Sequence, residues 1–445
     1  MKTVGRPIYS AVVLSALMGL SACGPAGGAP SPARAPLAAL RHSIDSLVND
    51  PIFANAQIGL LIVDPATGDT LYSKNAGKLF MPASNQKIIT GAVALAQLGP
   101  DYRYTTVIGK RGSVRNGVLS GDLLVIGDGD PTISDRVKGS AAEAMDAIAD
   151  SIKARGITRI TGALRQGGNA FPDSIYGYGW EWDDLKTSSG APVDELLYNE
   201  GMVQRATKID GRDTIVAVAT RTPGYAYLSA LYLALNKRGV VVDSLVALDV
   251  DSLAAPFDTL YAFQSPPLSE ILKHFLKPSQ NQIGEILLKT LGREKGGAGI
   301  ADSGAVVVRK QLADWGVDST GAVVYDGSGL SRHNLVTPET IVKTLVAMMR
   351  DSTTFAVFYD ALPVAGVDGT IRSRMKGTAA ENNLHAKTGS LEFVRSLSGY
   401  VSTPSDDLII FSFLSNHFTV RTSETARVQD AIGALLANYR STPPK

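Results

Sequence analysis

The stretch Phe80-Met81-Pro82-Ala83-Ser84-Asn85-Gln86-Lys87, continued by an apolar series at Ile88, Ile89, Ala92, Val93 and Leu95, decides how the rest of the chain is read. The apolar positions recur at helical spacing and predict a helix from Ser84 to Leu98 with that stripe buried. Ser84 and Lys87 stand at i and i+3, so hydroxyl and amine share one face of the first turn within hydrogen-bond reach. A lysine kept neutral by burial or by a neighbouring cation can take the serine proton. The helix N-terminus adds backbone N–H groups aimed at negative charge. Alone the pattern is weak, because Ser373-Arg374-Met375-Lys376 has the same spacing and a capping serine beside a solvated lysine reads identically.

Working outward, Leu37, Leu40, Ile44, Leu47 and Val48 predict an amphipathic helix before this stretch. Gln57 to Val63 and Thr70 to Tyr72 predict a β-hairpin around Asp64-Pro65-Ala66-Thr67-Gly68-Asp69. After Leu98 the texture changes to short β-like runs punctuated by Gly and Asp, interrupted by helical patterns at Ala141 to Ala154 and Ala226 to Arg238. This predicts an inserted, mostly β domain over residues 99–264. Long helical patterns return at Leu268 to Leu276, Gln280 to Leu291, Ile300 to Trp315, Pro338 to Arg350 and Thr422 to Tyr439. Strands are expected from Leu391 to Val401 and from Leu408 to Leu414. The first domain is then split in sequence, as residues 37–98 and 265–440.

Two further motifs give Ser84 company. Ser279-Gln280-Asn281 opens a predicted helix, and Lys387-Thr388-Gly389-Ser390 precedes a predicted strand. The order SxxK, an SDN-like triplet, then KTG is the signature of penicillin-binding proteins and class A β-lactamases. In that chemistry, attack of Ser84 on a carbonyl builds an oxyanion that the backbone N–H groups of Ser84 and Ser390 can receive. Lys87 is the base for acylation, Ser279 relays a proton to the leaving amine, and Asn281 holds Lys87 and the substrate amide. Lys387 adds positive charge that depresses the Lys87 pKa and draws in an anionic substrate terminus. The hydroxyls of Thr388 and Ser390 suit a terminal carboxylate, and Gly389 lets a substrate backbone approach.

The order and the long insertion make the chain similar to the class C low-molecular-mass penicillin-binding proteins, the D-alanyl-D-alanine carboxypeptidase/endopeptidase group. Gly129-Asp130-Pro131-Thr132, Trp180-Glu181-Trp182-Asp183-Asp184, Gly190-Ala191-Pro192-Val193, Asp326-Gly327-Ser328-Gly329-Leu330-Ser331-Arg332, Leu362-Pro363-Val364-Ala365-Gly366 and Asp368-Gly369-Thr370 carry the same resemblance. It implies a mixed α/β (α+β) fold: a β-lactamase/transpeptidase-like domain with an antiparallel sheet flanked by helices, interrupted by the inserted β-rich domain. It implies cleavage of D-Ala-D-Ala bonds or D-configured cross-links in peptidoglycan stem peptides, acylation by β-lactam antibiotics, and neither a metal nor an organic cofactor. It also implies that Arg332 and the Asp183-Asp184 pair face the substrate stem, where a diaminopimelate end offers a carboxylate and an ammonium. For Arg332 a fold-stabilising salt bridge weighs equally, and for the two aspartates turn and cap roles are favoured. The chain departs from its relatives in the short interval between first and second motifs, which implies an innermost insertion that is trimmed or absent. It departs again at Glu392-Phe393, where a small residue such as Gly is common.

Competing readings have less support. Glu195 to Asn199 imitates the ExxxN of class A deacylation loops, but here it precedes the second motif. A serine β-lactamase-like hydrolase therefore ranks second, and a catalytically silent cell-wall-binding lipoprotein third. There is no GxSxG elbow, and the five histidines are scattered, with only His385 near a motif. No GxGxxG or P-loop spacing supports nucleotide binding.

Composition closes off other classes. The 445 residues are 44% hydrophobic with a net charge of +1 and no basic block, which argues against nucleic acid as partner. A single cysteine forbids an intramolecular disulfide, a multi-cysteine zinc site or a redox pair. That residue, Cys23, follows basic Lys2 and Arg6, an apolar run from Ile8 to Leu20, and Leu20-Ser21-Ala22. The stretch resembles the bacterial lipobox. It predicts a signal peptide over 1–22, lipidation at Cys23, a flexible Gly/Pro/Ala/Ser tether over 23–36, and an exported enzyme held to a membrane in the cell envelope.

Overall fold

The computed structural model describes residues 34–246 and 256–441. The expected signal peptide, Cys23 and most of the expected tether lie outside these residues. Helix α1 (Arg34–Val48) begins before the expected start at Leu37, with Pro36 in its first turn, where a missing N–H leaves no helical bond unmade. It buries Leu40, Ile44 and Val48 against one face of a five-stranded sheet. Strands β1 (Gln57–Val63) and β2 (Thr70–Lys74) form the hairpin, whose turn is braced by Asp64 Oδ1 accepting from Ala66 N. Ile58, Leu60 and Ile62 of β1 face α1, and Leu61 faces the opposite core. On that second face Gly59 is a close approach. A side chain there would stand 2.5 Å from the Phe80 ring, so the missing Cβ seats the segment leading to Ser84 directly on the sheet.

Helix α2 (Gln86–Leu98) packs on the same face through Ile88, Ile89, Ala92 and Leu95. The chain then departs through β3 (Thr105–Arg115), β4 (Val118–Ile126), the single turn α3 (Asp135–Lys138), α4 (Ala141–Lys153), β5 (Arg159–Gly167), the separate hairpin β6 (Met202–Ile209) and β7 (Arg212–Ala219), α5 (Pro223–Lys237), β8 (Val241–Val246) and β9 (Asp258–Gln264). Five of these strands form a second sheet in the order β8-β5-β4-β3-β9, with β4–β5 and β5–β8 parallel. Its core comes from Met145, Ile148 and Ile152 of α4 and Leu228, Leu231 and Leu235 of α5, packed on Leu119, Leu123, Val125 and Leu164. Departing and returning strands pair, Thr105 opposite Gln264, and Ser265 N donates to Tyr104 O at 2.9 Å.

Helices α6 (Leu268–Leu276), α7 (Asn281–Lys295) and α8 (Ala301–Asp314), the short ribbon β10 (Ala322–Val323) and β11 (Leu335–Val336), and helices α9 (Pro338–Arg350) and α10 (Phe355–Ala361) enclose α2 in the larger core. Strands β12 (His385–Leu391), β13 (Val394–Ser402) and β14 (Leu408–Asn416) complete the first sheet in the all-antiparallel order β12-β13-β14-β1-β2. Helix α11 (Thr422–Ala437) returns to the α1 side with Val428, Ile432 and Leu436 buried. The fold is mixed α/β, an antiparallel sheet flanked by helices.

The expected β-strand before the last hairpin is also corrected. The single strand expected over Leu391 to Val401 is broken at Glu392-Phe393, where Phe393 adopts φ +60° and the chain reverses. Lys387-Thr388-Gly389-Ser390 therefore lies on an edge strand of its own, with Leu391 opposite Val394. The left-handed backbone at this turn explains why a small residue suits the position.

Candidate active site

Small polar residues on the inner face of the sheet let the start of α2 come close to it. Ser396 Oγ donates to Pro82 O at 2.8 Å, and Ser398 Oγ donates to Asn85 Oδ1 at 2.6 Å. Asn85 Nδ2 in turn donates to Lys387 O at 2.8 Å, tying the α2 segment to the edge strand. Residues Ala83–Asn85 form a tight 3-10 turn, so the α-helix proper begins at Gln86 and not at Ser84. Ala83 is held at φ +47°, and Gly329 backs it so closely that a Cβ there would stand 1.9 Å from Ala83 O. At Gly389 a Cβ would meet Ser396 Oγ at 2.1 Å and Ser84 N at 3.0 Å. Only the absence of that side chain lets β12 and the Ser84 turn lie against each other.

Lys87 is fully buried, and its Nζ reaches Ser84 Oγ at 2.9 Å, Asn281 Oδ1 at 2.7 Å and Ser328 O at 2.7 Å. Burial brings its pKa down to about 7, against the opposing pull of Asp326 and Glu285. Lys387 is equally buried, donating to Ser279 Oγ and to Thr388 O, both at 2.9 Å. Burial, then the positive charges of Lys87 and Arg395, hold its pKa well below the ordinary lysine range.

Ser279 sits just before α7 at φ +65°, and Gln280 caps the helix by accepting from Ile283 N at 2.7 Å. The turn aims Ser279 at Lys387 while the first helical residue, Asn281, reaches Lys87. Asn281 also donates through Nδ2 to Ser189 O at 2.9 Å, and Gln282 Nε2 donates to Ser188 O and Ala191 O. The loop between β5 and β6 is thereby fastened over one side of the site. Ser84, Ser189, Ser279, Asn281, Thr388 and Ser390 line a cleft of about 300 Å³, closed by Gly329, Leu330, Thr370, Leu391 and Arg395. None of these lining residues is acidic. Thr388 and Thr370 hydroxyls meet at 2.7 Å.

Other expected residues are placed differently. Arg332 is committed at the cleft rim, where Nε donates to Glu181 Oε1 at 2.9 Å and Nη1 to Glu392 O at 3.1 Å. Asp184 accepts from Glu181 N, a turn-forming contact. His385 stacks on Tyr359 with ring centroids 3.9 Å apart and does not line the cleft. Glu195 is buried in the inserted region, accepting from Gln166 Nε2 at 2.6 Å, and burial pushes its pKa up to about 9.

Several contributors were invisible as such in the sequence. Asn85 lies inside the first motif, yet its bridging role needs β12 beside it. Asp326 gathers Gly329 N, Ser331 N, Asn334 Nδ2 and Trp180 Nε1, which shapes the loop that offers Ser328 O to Lys87. Glu285 accepts from Ser328 N at 2.9 Å and Gly327 N at 3.3 Å beneath the same loop. Burial, then the nearby Asp326 charge, pushes Glu285 up to about 8. The Asp326-Gly327-Ser328-Gly329 run was the available signal, since glycines between hydroxyl and carboxylate side chains mark a tightly folded loop.

The model of the D-Ala-D-Ala carboxypeptidase 3 (S13) family matches residues 40–228 and 208–439. A D-alanyl-D-alanine carboxypeptidase of Actinomadura sp. (strain R39) is 34% identical over 476 residues, covering 91% of this chain and 85% of that protein. Among solved structures, penicillin binding protein 4 from Haemophilus influenzae superposes with a TM-score of 0.78 at 20% identity, covering 89% of this chain and 99% of that one. A predatory peptidoglycan endopeptidase from Bdellovibrio bacteriovorus superposes at 0.56 and 18% identity, covering 87% and 94%. The folds agree across nearly the whole chain, and the sequence match spans both segments flanking the insertion as well as the insertion itself. The chain therefore belongs to the D-Ala-D-Ala carboxypeptidase 3 (S13) family.

Proposed function

We propose that this protein is a serine D-alanyl-D-alanine carboxypeptidase/endopeptidase of the cell wall, acting on peptidoglycan stem peptides and cross-links and acylated by β-lactams. The observation that carries the reading is the Lys87 amine beside the Ser84 hydroxyl, buried and with its pKa near neutrality. Neutral Lys87 takes the Ser84 proton as Oγ forms its bond to the substrate carbonyl carbon. The carbonyl electrons move onto oxygen, which the N–H groups of Ser84 and Ser390 receive. As the C–N bond breaks, the leaving amine takes a proton from the Ser279 hydroxyl, which is oriented by Lys387, and the proton that Lys87 removed from Ser84 replaces it, so that Lys87 is neutral again. Asn281 holds Lys87 in place, and Thr388 and Ser390 face the carboxylate of the departing residue. Water then attacks the Ser84 ester, giving a proton to neutral Lys87, which returns it to Ser84 Oγ as the acyl–oxygen bond breaks. Arg332 enters as a rim residue joining the Glu181 loop to the β12–β13 turn.

Among the described residues lining the cleft there is no carboxylate to serve as the deacylation base of a class A β-lactamase. A penicillin is expected to acylate Ser84 and leave slowly. Export and lipid attachment at Cys23 complete the reading and place the enzyme in the envelope. The test is mass spectrometry after incubation with a penicillin, with a digest of purified muropeptides alongside. One adduct on Ser84, absent in Ser84→Ala, together with release of D-alanine from pentapeptides or cleavage of cross-linked dimers, is expected. No adduct and no cleavage would overturn the assignment.

A further inference from the structure

A second, polar hollow of about 140 Å³ adjoins the cleft, and Ser189, Ser279 and Asn281 belong to the walls of both. Its remaining wall includes Arg136 of α3 and Glu200, so the inserted domain reaches the edge of the reactive centre. Arg136 is built into place. Asn199 Nδ2 donates to Asp135 Oδ2 at 3.0 Å, and Asp135 N donates to Asn199 Oδ1 at 3.1 Å, which clasps α3 to the turn before β6. Ser134 Oγ accepts from Arg136 N at 3.1 Å and donates to Glu200 Oε1 at 3.2 Å. Arg136 Nε donates to that same carboxylate oxygen at 2.9 Å. The turn that delivers Glu200 is strained, with Asn199 at φ +46° and Glu200 at φ +60°. Asparagine tolerates left-handed backbone, but glutamate pays on the order of 1–3 kcal/mol for it.

Among the described residues, Nε is the one guanidinium nitrogen of Arg136 in a hydrogen bond, so both terminal nitrogens keep their donors for a ligand. Their planar fork matches a carboxylate, and the side chain is half-exposed at the hollow while Glu200 is nearly covered. In the function proposed above, on which this inference rests, the leaving amine takes its proton from Ser279. Whatever that amine carries must therefore pass Ser279. A departing D-alanine ends within the first cleft, whereas the amine released from a cross-link carries a second stem peptide with free carboxylates of its own. We propose that Arg136, oriented by Glu200, is a specificity-determining residue that receives a carboxylate of this departing strand in the hollow beyond Ser279. The inserted domain would then favour cross-links over single terminal residues.

The test measures steady-state kinetics on purified cross-linked dimers and on uncross-linked pentapeptides, using wild type, Arg136→Gln and Arg136→Lys. Because Arg136 is half-exposed and shares its charge with Glu200, the dimer KM in Arg136→Gln should rise about 10-fold with kcat little changed, the pattern of lost binding common to ground and transition states. Pentapeptide kinetics should be unchanged. Arg136→Lys, which keeps charge but not the fork, should fall between, and penicillin acylation of Ser84 at the wild-type rate shows that a variant is folded. A dimer-to-pentapeptide KM ratio unaltered in both variants overturns the Arg136 assignment, as does an equal rise for both substrates, which marks a disturbed Ser279 turn. A wild-type protein that cleaves pentapeptides and not dimers overturns this inference while leaving the carboxypeptidase reading intact. Cleavage of neither overturns both.

Discussion

Lys87 Nζ stands 2.9 Å from Ser84 Oγ while also serving two other acceptors, Asn281 Oδ1 and Ser328 O. An ammonium has three N–H donors and no lone pair, so in that form all three acceptors are matched and Ser84 gains no base. Losing one proton leaves two donors for Asn281 and Ser328 and turns the lone pair toward Ser84. The geometry therefore accommodates both protonation states, and pH decides which is present.

Because the Lys87 pKa is brought down to about 7, acylation should depend on its deprotonation. The second-order rate of Ser84 acylation by penicillin should fall about tenfold per pH unit below about 7 and level off above it. The same shift acts on stability. Between about 7 and the ordinary lysine value of 10.5 the unfolded chain binds more protons than the folded one, so this group's contribution to stability rises with pH across that window. Unfolding measured against pH should lose that slope in Lys87→Met.

Gly389→Ala puts a methyl group against Ser396 Oγ, Pro82 O and Ser84 N. The edge strand must move off the Ser84 turn, separating the Ser84 and Ser390 N–H groups proposed to receive the oxyanion. A displacement on the order of 1 Å should cost about 100-fold in acylation rate. Stopped-flow acylation at wild-type rate would contradict this.

Asn85→Ala removes two buried bonds at once, leaving Lys387 O and Ser398 Oγ without their Asn85 partner. Urea unfolding should show a loss of about 1–3 kcal/mol per group left unsatisfied. Acylation should slow as well, since Lys387 and Ser84 are no longer tied together.

Glu285→Ala strands the N–H groups of Gly327 and Ser328. A destabilisation of about 1–3 kcal/mol is expected, and Glu285→Gln, which retains one acceptor oxygen, should lose less. Equal losses in thermal unfolding would show that charge and not hydrogen bonding is what Glu285 supplies.

The three motifs at Ser84, Ser279 and Lys387 were legible because each is short and their order is distinctive. The helices were legible because their apolar stripes repeat over three turns or more. What lay beyond the sequence was contact made across long separations. Ser328 offers Lys87 a backbone oxygen, which no side-chain pattern reveals. The reversal at Phe393 was hidden because neither Glu392 nor Phe393 is a turn-forming residue, and without it Arg395 has no assignable face. Arg332 shows the converse, a residue singled out by resemblance whose charge the structure commits to Glu181 and Glu392 O.

The pairing of β3 with β9 also bears on how the chain finds its fold. Lys87 and Asn281 are 194 residues apart in sequence, a separation that makes their meeting entropically expensive for an open chain. Once Thr105 and Gln264 are zipped together, the intervening region becomes a closed side loop, and α2 and α7 are joined through a short neck. Assembly of the second sheet is then expected to act as a kinetic shortcut for the reactive centre, so core lesions at Leu123 or Leu231, which line no part of the cleft, should slow the recovery of penicillin binding on refolding.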